Sequence, residues 1–210
     1  MTGLTNDPSS MTPEQSALVV RLRDRELNSF GTAAIFERRL SIYKSRLRNL
    51  SFVGLVLPLA LGGLVIAVGA QWEGLDLIIA ITGILAAIQG VANLWALAAR
   101  WEDRLASSQE AATASASLEL SYGRLKESAI AGRLDAQSAE LARLDQAYDA
   151  QDALDRRQEI EDPERRLGMR KALRQLKRPC GGCGITPVSI ENTDCPVCGR
   201  LPWEFTWLRR

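Results

Sequence analysis

All four cysteines of this 210-residue chain lie in its last 31 residues, as Cys180-Gly181-Gly182-Cys183, eleven intervening residues, and then Cys195-Pro196-Val197-Cys198. Paired C-x2-C knuckles bring four thiolates within reach of one tetrahedral ion. The chain has no histidine, so the ligands are sulfur alone. Four thiolates close a tetrahedral shell and leave no open position for a substrate, which makes the site structural. Zinc is the expected cofactor. Iron in a rubredoxin-like site is the alternative, and disulfides would require a more oxidising compartment than the cytoplasm. Gly184 and Gly199 each follow the second cysteine of a knuckle, where small residues let backbone N–H groups turn toward the sulfurs and offset their charge. The lack of histidine also removes the commonest general base. No Walker-type loop, G-x-S-x-G elbow or dinucleotide fingerprint occurs. Nothing recommends an enzyme.

The cysteines belong to a small zinc-ribbon-like module at residues 178–210. Within it, Trp203, Phe205 and Trp207 alternate with Glu204 and Thr206, a period-2 pattern that predicts a terminal strand with one aromatic face. Those rings either close the core of the ribbon or, beside Arg200, Arg209 and Arg210, offer a surface to a partner. The preceding region, residues 100–177, is predicted to be helical and cytoplasmic. Leu118, Tyr122 and Leu125 form one apolar series, while Ile130, Leu134, Gln137, Leu141, Leu144 and Tyr148 form another that is out of phase with it. A break near Lys126 to Gly132 would reconcile them, and Pro163 marks the boundary of a shorter basic helix over 164–177.

Two apolar runs, Leu50 to Ala70 and Leu77 to Ala99, contain no charged residue. At 1.5 Å per residue each is roughly 31 to 35 Å long, enough for a bilayer core of ~30 Å. The six-residue link Gln71 to Asp76 permits only an antiparallel hairpin. Arg38, Arg39, Lys44, Arg46 and Arg48 precede the first run and Arg100 and Arg104 follow the second, whereas the link carries Glu73 and Asp76. The positive-inside rule therefore puts both termini in the cytoplasm, with Trp72, Trp95 and Trp101 near the interfaces. The fold class expected is an all-α membrane protein of the bacterial inner membrane: a transmembrane hairpin over 50–99, cytoplasmic helices and the cysteine module. A basic amphipathic helix over 13–49 leads into the first span, started by Thr12-Pro13-Glu14-Gln15 and interrupted or kinked at Gly31. Its bases either set topology or meet lipid headgroups. Residues 1–12 read as disordered. The net charge of +1 is distributed rather than blocked, so nothing points to nucleic acid.

On the second run, Thr82, Ala86, Gln89 and Asn93 fall on one stripe at 100° per residue, next to a small-residue stripe of Gly83, Ala87 and Gly90. Amides are costly against lipid. They either line a water path enclosed by several copies or hydrogen-bond between helices in a non-conducting oligomer.

The order of parts resembles the SLATT family, the SMODS and SLOG-associating two-transmembrane effector domains of bacterial conflict systems. The residues that carry the likeness run from Ser29 to Lys177: Glu37-Arg38-Arg39 through Arg46-Leu47-Arg48, the span with Pro58, the tight turn, Gln89 to Trp95, Trp101-Glu102 and Tyr122-Gly123-Arg124-Leu125. The cysteine cluster also looks like that of mobile-element proteins with the same spacing. The resemblance implies a homo-oligomeric, pore-forming membrane effector of antiviral defence, switched on by a separately encoded partner that senses infection or makes a nucleotide signal. A membrane-anchored adaptor, whose ribbon docks a cytoplasmic protein or nucleic acid, is the rival reading.

Overall fold

The computed structural model describes residues 12–68, 75–132 and 137–201. Five helices account for most of them: α1 (Pro13–Val68), α2 (Leu75–Ala98), α3 (Trp101–Ile130), α4 (Gln137–Arg156) and α5 (Asp162–Gln175). Among the described residues there is no strand. The chain divides into two compact units, Met1–Glu37 with Gln109–Arg210, and Arg38–Ser108.

In the first unit the buried positions of α1 include Val19, Leu22, Glu26, Ser29, Ala33 and Phe36, and those of α3 include Ala111, Ser115, Leu118, Tyr122, Leu125 and Ala129. Both series step by three and four residues, the repeat that keeps a seam on one face of a helix. Gln15 donates to the Ala129 carbonyl, Glu26 pairs with Lys126, and Phe36 packs on Ala111 and Ala112. Rising numbers on one helix thus meet falling numbers on the other, so the seam is antiparallel. The Lys126 ammonium reaches both Glu26 oxygens at 2.7 Å, which fixes register because a slip would strand a buried carboxylate.

Thr12 caps α1 as its sequence indicates, accepting from the Gln15 backbone N–H at 3.3 Å. The Gln15 side chain does not complete a capping box; it is drawn off to Ala129, 2.6 Å away. The break between the two apolar series is present between α3 and α4, and Leu134 lies outside the described residues. Ile130, Leu141, Leu144 and Tyr148 then join the cluster around Leu118 and Tyr122. Asp145 of α4 accepts from Tyr122 Oη at 3.1 Å and pairs with Arg21, while the Arg25 guanidinium sits 4.1 Å from the Tyr148 ring centre.

Gly31 does not interrupt α1, which continues unbroken to Val68. A single glycine costs a helix only about 1 kcal/mol. Here it sits against Gly168 of α5, and the two backbones pack closely: a Cβ on Gly168 would lie 2.6 Å from the Gly31 carbonyl oxygen and 2.8 Å from Ile35 Cγ1. α5 itself starts with Pro163 in its first turn, and the Glu164 carboxylate accepts from the Glu161 N–H at 3.1 Å.

The second unit pairs the later part of α1 with α2. The Gln89 amide donates to the Leu50 carbonyl at 3.2 Å, and Arg46 lies 5.6 Å from the Trp101 ring centre, so these helices also run antiparallel. Its apolar side chains point outward: Leu55, Leu59 and Ile66 on α1 and Ile84, Ile88, Val91, Leu94 and Leu97 on α2 are all exposed. Among the described residues one helical stretch, Leu77–Ala98, is long and apolar enough to cross a membrane, with a mean hydropathy of 2.0. The structure does not show the two-span hairpin. Most of the link, Gln71 to Gly74 with Trp72, lies outside the described residues, as do the disordered start expected before Thr12 and the end of the first run.

Gly168→Ala is expected to lower unfolding free energy by about 1 to 3 kcal/mol, because the methyl group must displace a backbone carbonyl. Gly31→Ala, whose Cβ would meet nothing nearer than 3.5 Å, is expected to leave stability unchanged or slightly raised. Denaturant unfolding of the two variants checks the contrast, and equal effects would show that the crossing is not close.

Candidate metal centre

The chain leaves α5 through Leu176 and Lys177 and returns to α1, where the Arg178 guanidinium binds the Arg23 carbonyl at 2.8 Å and Asp24 at 2.9 Å. Two tight turns follow. In the first, the Gly184 N–H donates to the Cys180 carbonyl at 2.7 Å, with Gly184 at φ +71°, a conformation that favours glycine. In the second, the Gly199 N–H donates to the Cys195 carbonyl at 2.9 Å. Gly199 is required for another reason: a Cβ there would collide with the Thr193 carbonyl and hydroxyl.

These turns bring Cys180, Cys183, Cys195 and Cys198 together, with all four sulfurs within 4.8 Å of one another. The Cys180–Cys195 and Cys183–Cys198 separations are both 3.9 Å. Sulfurs held 2.3 Å from a tetrahedral ion would be roughly 3.8 Å apart, so the residues present fit a single four-thiolate ion. Cys180, Cys195 and Cys198 are buried and cluster with Leu173, against which Leu27 and Met169 pack; Cys183 is exposed.

The glycines permit the turns, but the N–H groups that reach sulfur belong to other residues. Gly182 donates to Cys180 Sγ at 3.4 Å. At Cys195 the backbone N–H groups of Cys198 and Val197 hold the thiol down to about 6, which favours the thiolate a metal needs. Burial pushes the Cys198 thiol up, and its sulfur neighbours add to that rise. A cation that binds both sulfurs removes this conflict.

Among its described residues the cysteine module contains no strand. The segment between the knuckles is held from α5 instead: buried Arg170 donates through Nε to the Ser189 carbonyl at 2.8 Å, and through Nη1 to the Cys198 carbonyl at 2.9 Å and Thr193 Oγ1 at 3.3 Å. Carbonyls that a β-ladder would satisfy are thus taken by one guanidinium, whose charge also offsets the excess negative charge of four thiolates. Reading for cysteines missed Arg170. Its signal is its place midway between Leu167 and Leu173, an arginine in line with two buried leucines. Trp203, Phe205 and Trp207, with the terminal strand predicted for them, lie outside the described residues.

The other expected site residues are on α2. The half-buried Thr82 hydroxyl donates to the Ile78 carbonyl at 2.6 Å, and Ala86 is exposed. Gln89 is half-buried and bonds both Leu50 and, at 3.3 Å, the exposed Asn93. The structure therefore brings Gln89 and Asn93 together and commits the first to α1 of the same chain. Gly83, Ala87 and Gly90 are exposed, with open space where a Cβ would stand on either glycine.

A helical chain carrying a four-thiolate centre docked on its own helices is the class that this geometry defines. Residues 20–201 match the family model described as the mobilome CxxCx(11)CxxC protein, and the chain belongs to that family. No curated protein and no solved structure matches it.

Protein purified reduced and without chelator is expected to contain one metal ion per chain, measured by elemental analysis. Arg170→Gln is expected to cost about 3 kcal/mol of stability, because buried carbonyls lose a charged donor, and to speed loss of the ion to a chelator. Wild-type stability and metal retention in that variant would contradict the stapling role.

Proposed function

We propose that this protein is a non-enzymatic membrane effector of a bacterial conflict or anti-phage defence system. In this reading, copies assemble in the inner membrane as two-span hairpins with both termini cytoplasmic, and open a pore or disrupt the bilayer. A separately encoded sensor or nucleotide-signalling partner activates them. The cysteine centre holds zinc and stabilises the cytoplasmic part.

The observation that carries the reading is the outward apolar surface of residues 38–108, where Leu59 is 68%, Ile66 85%, Ile88 60% and Val91 67% exposed. In water such a surface would drive association, whereas lipid or neighbouring copies cover it without cost. Arg38, Arg39 and Lys44 precede its first exposed apolar residue, Phe52, supporting a cytoplasmic start. The likeness to SLATT proteins supplies the effector role.

A second reading, a membrane-anchored adaptor, is favoured by one contact: Gln89 is bonded to Leu50, so that amide serves packing within one chain. Asn93, exposed beside it, distinguishes the two. Expressed with its neighbouring genes, the wild-type protein is expected to depolarise bacterial cells, read with a potential-sensitive dye. Asn93→Leu is expected to abolish the effect with insertion unchanged, because a water path needs polar groups on the converging face. Depolarisation that survives this substitution would remove Asn93 from the path, and no depolarisation by the parent would favour the adaptor.

A further inference from the structure

Between α1, α4 and α5 of the first unit lies a cleft of roughly 580 Å³, within the ~300 to 1,000 Å³ range of small-molecule sites. One wall is apolar, formed by Leu27, Ile35, Ile160 and Met169, and Asp152 and Asp155 of α4 face it. Neither the metal centre nor the outward apolar surface uses this space.

The two acids differ in their partners. Asp152 is taken by Arg156, whose Nε and Nη2 lie 2.9 and 2.6 Å from one carboxylate oxygen. Asp155 is buried, 5% exposed, and accepts from the Gln151 amide at 2.7 Å. Its charged neighbour in the cleft is the like charge of Asp152, and burial pushes its carboxyl up to about 6. The arginines at the cleft, Arg156 and Arg165, are exposed, and Arg165 Nε donates to the Ile160 carbonyl at 3.3 Å.

A second, smaller space adjoins the cleft at Asp155. This void shares Thr32, Tyr148, Asp152 and Asp155 with the cleft and is also lined by Ser29. Ser29 is 2% exposed, and its Oγ has no hydrogen-bond partner among the described residues. A buried hydroxyl without a partner costs about 1 to 3 kcal/mol, and the void beside it, roughly 10 Å³, has room for one water molecule and no more.

We propose that this cleft binds a small alkyl- or arylalkyl-ammonium ion, with the ammonium against Asp155 and the hydrocarbon on Leu27, Ile35, Ile160 and Met169. An ammonium supplies the charge that the buried carboxylate lacks and three donors for the oxygens around it. The apolar wall selects an organic cation over a hydrated metal ion. The assignment rests on the first unit and is independent of the membrane reading.

Calorimetric titration of the full-length, metal-containing protein with 2-phenylethylamine tests it. Saturable binding is expected, with the neutral isostere 2-phenylethanol at least about tenfold weaker. Asp155→Asn, verified as folded by its helical circular dichroism, is expected to weaken the amine about tenfold or more and leave the alcohol unchanged. No saturable binding, equal binding of amine and alcohol, or an unaffected Asp155→Asn variant would each overturn the proposal. Nα-acetyl-lysine methylamide stands in for a partner protein's lysine and is expected to bind more weakly. If it bound as tightly as the amine, the free-ligand assignment would fall.

Discussion

The antiparallel seam between α1 and α3 is the contact on which the rest of the first unit is built. Val19, Leu22 and Phe36 have no other way to leave water, and the small residues Ala111, Ala112 and Ser115 opposite let the helices approach closely. Each later element uses a surface this seam prepares. Tyr122 presents its hydroxyl to Asp145 and so receives α4. Gly31, on another face of α1, receives α5 at Gly168. α5 in turn supplies Arg170 to the segment between the knuckles, and α1 supplies Leu27 and Asp24 to their base. The metal centre is therefore the last link in a chain of packing rather than a separate module, even though its ligands are adjacent in sequence.

That dependence explains what was legible in the residues alone. The four-cysteine set was legible because ligand spacing is local and the chemistry admits one arrangement. Thr12, Pro163 and the change of phase after Leu125 were legible for the same reason, as each acts within a turn or two. Gly31 was misread because a helix-weakening residue and a close-packing residue look alike until the partner is known, and Gly168 lies far away in sequence. Arg170 left only its place between two leucines as a signal, because two of its three acceptors are backbone carbonyls, which every residue carries.

The second unit inverts the usual arrangement of a folded chain. The Gln89 amide serves the helix pair at Leu50, while leucines, isoleucines and valines such as Leu59, Ile88 and Val91 face out. Continuous α1 carries both regimes, with a buried seam up to Phe36 and exposed apolar residues from Phe52 onward, separated by the bases of residues 38–48. A sequence so divided suits a helix that passes from water through a charged interface into hydrocarbon.

The central claim, that the apolar stretches within residues 52–98 are built for lipid and residues 109–201 for water, is open to one direct measurement. The full-length protein is reconstituted in vesicles containing a photoactivatable carbene precursor confined to the acyl chains, and the modified residues are mapped by mass spectrometry. The account predicts modification at Ile84, Ile88 and Val91 and none at Leu118, Leu144 or Leu173. An unmodified 77–98 segment in protein that stays with the vesicles, or release of the protein by an alkaline wash, would contradict it.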